Sequence, residues 1–173
     1  MIQIRRGVFE TNSSSSHSIV IMKEPYTTAD GEAFPTWRLG KDGILHLSHY
    51  HLSFGWGKDI LFDPYARLCY AIASYSYDDD KIAEIRELCR KRVKGFIDFR
   101  FDHDGEGIDH GYVDHQSDSL LKHTLGKLGI SLEEFIFNNR YIVIIDNDND
   151  DTIIDTMRDT GLLNMDRIEE IVE

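Results

Sequence analysis

The chain has 173 residues, 41% hydrophobic and 11% aromatic, which suits one folded domain with a buried core and excludes a disordered chain. Its net charge of −12 is one-sided: residues 1–101 hold 13 acidic and 14 basic side chains, residues 102–173 hold 18 and 5. No apolar run approaches the roughly 18 residues of a membrane span, and the start of the chain lacks the apolar core of a signal peptide.

"MIQIRR" alternates apolar and polar residues as a half-buried strand does, and "HSIVIM" reads as a second strand. Between them lies Gly7–Ser16, ending in four consecutive serines, which is too long for a tight hairpin turn and reads as an ordered loop. Residues 23–35 are loop-like. "TWRLGKDGILHLS" predicts a hairpin turning at Gly40–Gly43, and "SFGWGKD" a Gly-aromatic connector. Asp63-Pro64 marks a helix start, with Leu68, Cys69, Ile72 and Tyr75 at helical spacing.

Asp78-Asp79-Asp80 opens a second helix. Ile82, Ile85, Leu88, Cys89 and Val93 form its apolar stripe, and Arg86, Arg90, Lys91, Arg92 and Lys94 its other face. "GFIDFRF" and "GYVDHQS" read as strands, and 119–128 and 131–138 as short helices. Ser131 with Glu134 fits a capping box. "RYIVIID" is apolar on both faces and reads as a central strand, and the tail from Asp151 as one or two amphipathic helices. The order predicts a single α+β domain over 1–173, without repeats, in which a mixed or antiparallel sheet with an N-terminal β-hairpin packs on several helices. Cys69 and Cys89 lack metal-ligand spacing and read as buried thiols of a reducing, cytoplasmic compartment.

The serine phrase carries the chemistry. Glu10, Asn12, Ser14, Ser15 and His17 gather carboxylate, amide, hydroxyl and imidazole within eight residues, the groups needed to activate a hydroxyl or to cleave RNA by acid–base catalysis. Arg5 and Arg6 would hold phosphate, with Arg86 and Arg90 as further RNA contacts. The competing reading is a polar loop whose hydroxyls satisfy their own backbone. The phrase shares its Ser-Ser and Ser-His with the switch loop of kinesin motors, but no GxxxxGK[ST] loop accompanies it, nor is there a GxSxG elbow.

"FDHDGEGIDHGYVDHQSD" repeats Asp-His pairs; Asp109, His110 and His115 form a second line of catalytic candidates, with a solvated loop the plainer reading. His49 and His51 would share a strand face but lack a third ligand. "DNDNDD" imitates a calcium loop, yet Asp151 stands where Gly is required and Met157 where Glu is. No metal and no cofactor is expected.

Four phrases together, "RRGVFETNSSSSHSIVI", "FGWGKDILFDPYARLCYAI", "DHQS" and "EEFIFNNRYIVIIDNDN", resemble a family of small proteins carried by phages and mobile elements of Firmicutes. The resemblance spans most of the chain and implies kinship with type II-A anti-CRISPR proteins, one of which disables its effector nuclease by trimming the guide RNA. It implies an inhibitor acting in the bacterial cytoplasm on a CRISPR effector and its guide RNA, with metal-independent RNA cleavage as one mechanism. It supplies no catalytic residues. Two alternatives stay open: an acidic nucleic-acid mimic that blocks a basic groove without chemistry, and a small-molecule hydrolase or transferase using the serine phrase.

Overall fold

The computed structural model describes residues 15–25, 37, 39–55, 59–102, 111–113, 120–147 and 168–172. Among these residues eight strands and four α-helices follow in the order β1 (Ser15–Met22), β2 (Ile44–Ser48), β3 (Ser53–Phe54), β4 (Asp59–Leu61), α1 (Pro64–Ser74), α2 (Asp79–Arg92), β5 (Asp98–Asp102), β6 (Tyr112–Val113), α3 (Leu120–Leu128), α4 (Leu132–Phe137), β7 (Tyr141–Asn147) and β8 (Ile168–Val172). The class is α+β, as the element order implied.

The main sheet has the order β4-β7-β1-β8, and each of its pairings is antiparallel. β7 is central, as its unbroken apolar run required. In the register His17 lies opposite Ile145, Ile19 opposite Val143 and Ile21 opposite Tyr141. Because side chains alternate along a strand, the sheet sorts its residues into two clusters. Ile19, Ile21, Leu61, Tyr141, Val143 and Ile145 join the main core with residues of all four helices. Val20, Met22, Ile142, Ile144 and Ile168 form a second cluster on the other face. Each Ile or Val so buried contributes about 1.5–3 kcal/mol.

α1 is the hub of the main core. Arg67 to Ala73 are all buried, so it is covered on every side, and Ala71 and Ala73 leave room for close neighbours. Its start is set as expected: Asp63 Oδ1 accepts from Ala66 N at 2.9 Å, and Pro64 occupies the first turn. α2 is a surface helix burying Ile82, Ile85 and Cys89. Asp78 caps it, Asp79 and Asp80 sit at the positive end of its dipole, and Arg90, Lys91 and Arg92 at the negative end. Ser131 Oγ caps α4 by accepting from Glu134 N, whereas the Glu134 carboxylate accepts from the Tyr141 hydroxyl at 2.9 Å.

Several expectations need correction. The serine phrase does not remain a loop up to His17: β1 starts at Ser15, because the backbone of 15–17 finds partners in β7, with Ser15 opposite Asn147 and Ser16 opposite Asp146. The tail does not end as a helix. Ile168, Ile171 and Val172 have helical spacing, but these β-branched residues instead build β8 against β1, with a register shift at Ile21/Met22. The Gly40–Gly43 turn is present, with Gly40 N bonded to Ile44 O at 2.8 Å. Among the described residues the arms of the hairpin meet at an antiparallel Leu39–Leu45 bridge, and β2 in addition pairs in parallel with β5, which was not expected. The Gly-aromatic connector contains β3, which pairs in parallel with β6, and leads into β4. "MIQIRR" lies outside the described residues.

Candidate functional site

Of the serine-phrase candidates, His17 is the one whose side chain the structure describes. Glu10, Asn12, Ser14, Arg5 and Arg6 lie outside the described residues, as do Asp109, His110 and His115. His17 is 4% exposed, on the β1 face that carries Ile19 and Ile21. Its Nδ1 lies 3.0 Å from the hydroxyl of Tyr70, a fully buried residue of α1, and the two rings meet at 5.7 Å. Phe54 packs edge-on against the same tyrosine at 5.2 Å. Burial pushes the Tyr70 phenol well above its ordinary range, so it stays protonated and can donate to His17. A neutral hydroxyl at one ring nitrogen fixes an imidazole's orientation, as the carboxylate of a catalytic triad does, but without stabilising an imidazolium charge. The sequence reading did not include Tyr70; it lies 53 residues from His17 and looks like any core aromatic.

The basic face of α2 is largely spent within the chain. Arg86 Nε donates to Asp98 at 2.6 Å, with its guanidinium 5.8 Å from the Phe99 ring centre. Burial alone would raise the Asp98 carboxyl, but the Phe99 N–H and Arg86 outweigh it and hold it below the usual range. Arg90 pairs with Glu87 and donates to Ile97 O at 3.1 Å. Lys91 and Arg92 share Glu133, at 3.1 and 3.3 Å. The positive cluster visible in sequence is therefore a set of ion pairs tying α2 to β5 and α4.

The histidines of "HLSHYHLS" do not share a strand face, because β2 stops at Ser48 and His49–His51 forms a 3-10 turn. Ser48 N donates to His51 Nδ1 at 3.2 Å, and Ser48 Oγ lies 3.0 Å from the same atom. A backbone N–H can only donate, so Nδ1 is an acceptor and the ring proton sits on Nε2. The His51 side chain thus reaches back to the backbone N–H of the residue that precedes the turn, which is one half of a capping box, with His in the place of Glu. Among the described residues no three His, Cys, Asp or Glu side chains gather as a metal site requires.

The most elaborate polar cluster among the described residues centres on Arg67, a residue the sequence analysis did not single out. Its side chain is fully buried and makes six hydrogen bonds. Nε donates to Phe135 O and Ile136 O, Nη1 to Phe62 O and Tyr141 O, and Nη2 to Ile136 O and Asn139 Oδ1, over 2.6–3.2 Å. Two acceptors are carbonyls at the C-terminal end of α4, which carries the negative end of that helix dipole. Burial lowers the guanidinium to about 10, with Asp63 opposing the shift. The charge therefore persists at neutral pH, and its role is to lock α1, α4 and the starts of two sheet connections together.

No protein-family model matches this chain, and no match was found among curated proteins or solved structures. No described helix is long and apolar enough to cross a membrane.

Proposed function

We propose that the chain is a binding protein whose acidic C-terminal part occupies a basic, nucleic-acid-binding groove of a partner. The observation that carries this reading is the segregation of charge: residues 102–173 hold 18 acidic against 5 basic side chains, while Arg86, Arg90, Lys91 and Arg92 of α2 are engaged in ion pairs with Asp98, Glu87 and a shared Glu133. What remains for a partner is an excess of carboxylates, which steers association with a positive groove and is sensitive to salt. The resemblance of the serine phrase and its companion segments makes that partner the guide-loaded nuclease of a bacterial type II CRISPR system, encountered in the bacterial cytoplasm. Burial of His17 at 4% exposure favours inhibition by occupancy over inhibition by chemistry.

The test is to mix the chain with a guide-loaded type II effector, measure target cleavage, and run the guide on a denaturing gel. Lost target cleavage with intact guide, weakening as salt rises, is the expected result. An effector unaffected at any salt concentration removes the reading. A second reading, metal-independent cleavage of the guide, is supported by one contact, the Tyr70 hydroxyl on His17 Nδ1. A shortened guide that stays whole with His17→Ala would establish it in place of the first.

A further inference from the structure

The face of α4 directed away from the core borders an open groove of about 560 Å³, within the range of ligand sites, between the end of α2 and Pro25. Its polar groups are oriented by the fold. Asn138 Oδ1 accepts from Arg140 N at 3.1 Å, and Asn139 Oδ1 accepts from Arg67 Nη2 at 3.0 Å. Neither a backbone N–H nor a guanidinium can accept, so the engaged atom of each asparagine must be its oxygen. Each amide nitrogen is therefore left with its donors uncommitted among the described residues, on a half-buried side chain lining the groove.

The carboxylates of the groove are not equivalent. Glu133 is taken up by Lys91 and Arg92. Glu134 gives one oxygen to the Tyr141 hydroxyl, an uncharged donor, and makes no ion pair among the described residues, which leaves its second oxygen to the groove. Phe137 supplies an apolar wall stiffened by the Arg92 guanidinium 5.4 Å from its ring centre. Two uncommitted amide donors beside one uncompensated carboxylate and an aromatic wall present donors for carbonyl oxygens and an acceptor for a cation.

We propose that this groove seats an extended, basic peptide segment of the partner protein, with Asn138 and Asn139 donating to its backbone carbonyls and Glu134 accepting from a lysine or arginine side chain. The proposal rests on the reading of the partner as a basic protein, and gives that partner a defined contact outside the acidic tail. A nucleic acid is disfavoured, since Glu134 would face its phosphates and Arg92, the cation lining the groove among the described residues, is engaged by Glu133.

The experiment titrates the full chain, labelled with nitrogen-15, with an acetylated and amidated peptide of alternating lysine and arginine. A glycine–serine peptide of equal length is the control. The side-chain amide resonances of Asn138 and Asn139 and the backbone resonances of 131–139 should shift with the basic peptide and not with the control. Glu134→Gln keeps the acceptor for Tyr141 and removes the charge, so binding should weaken about three- to fivefold, the scale of a solvent-accessible ion pair. Shifts confined to other segments, no shifts, or equal affinity in Glu134→Gln overturn the proposal, as does an oligouridylate that moves the same resonances. The effector separates this failure from that of the broader reading. An effector bound equally well by Glu134→Gln, with no peptide response at the groove, leaves the acidic-tail reading standing alone. A groove that takes the peptide in a chain that ignores the effector leaves the groove and removes the effector.

Discussion

Replacing Arg67 with methionine tests whether the fold depends on a buried cation without a bonded carboxylate. The side chain is fully buried and makes six contacts from its five N–H groups, the Nε–H being shared by Phe135 O and Ile136 O; at about 1.5 kcal/mol for each N–H of a charged donor, the lower end of the range, these contribute roughly 7.5 kcal/mol together. Against this stands the cost of burying the charge. The lowering of the guanidinium from 12.5 to about 10 corresponds to roughly 3 kcal/mol. A methionine would regain about 2 kcal/mol as buried apolar surface. Arg67→Met should therefore lose about 2–3 kcal/mol, within the range expected when buried carbonyls lose their donor. That is a substantial share of the 5–15 kcal/mol by which a domain is usually stable. Arg67→Lys keeps the charge but has three donors and no planar fork, and should lose about half as much. Urea unfolding at pH 7, followed by far-ultraviolet circular dichroism, measures both. A methionine variant within 1 kcal/mol of the parent, with unchanged denaturant slope, would refute the argument, because the stranded carbonyls would then have found other donors.

Three further outcomes are expected. Stability should fall as pH rises above about 9. Cys89 and Tyr141 are raised to about 12, and Tyr70 is raised as well, so the unfolded chain releases these protons first and the stabilisation is lost as pH climbs through the folded values. Arg67 works in the opposite direction only above about 10; an unfolding midpoint flat from pH 8 to 11 would contradict this. Gly111→Ala should cost about 2–3 kcal/mol, since Gly111 has φ 86° and an added Cβ would overlap Leu52; a thermal melt matching the parent's would disprove the strain. Tyr70→Phe should cost about 1–2 kcal/mol and move the His17 ring nitrogen resonances, and unchanged resonances would show that the phenol does not hold the imidazole.

What could be read in advance follows from how local each signal is. The caps at Asp63, Asp78 and Ser131 are each decided within four residues, and all three hold. β7 was legible because an unbroken apolar run before an acidic cluster suits a strand covered on both faces. β8 was not, because Ile168, Ile171 and Val172 satisfy helix and strand patterns alike, and the deciding partner is Ile19, at the other end of the sequence. The parallel pairing of β2 with β5 was hidden for the same reason, with α1 and α2 lying between them. At the candidate site, His17 stood out by residue type, but its burial and its bond to Tyr70 depend on α1, a helix 53 residues away in sequence. The basic face of α2 looked free because its counter-ions Asp98 and Glu133 belong to other elements. Arg67 gave no warning, since its acceptors are backbone carbonyls and one amide.

The place of β1 in the main sheet bears on how the chain is born. β1 lies between β7 and β8, with Ile19 opposite Val172. At a ribosomal rate of 5–20 residues per second, the first strand waits about 10 s or longer before its last neighbour is made. Until β7 emerges, Ile19, Val20 and Ile21 have neither β7 nor β8 to pair with, while α1 and α2 are already available to hold the apolar residues of the growing chain. The main sheet is thus completed only after β8 has been synthesised, and a ribosome stalled before β7 would present β1 without its β7 and β8 neighbours, as an aggregation-prone edge.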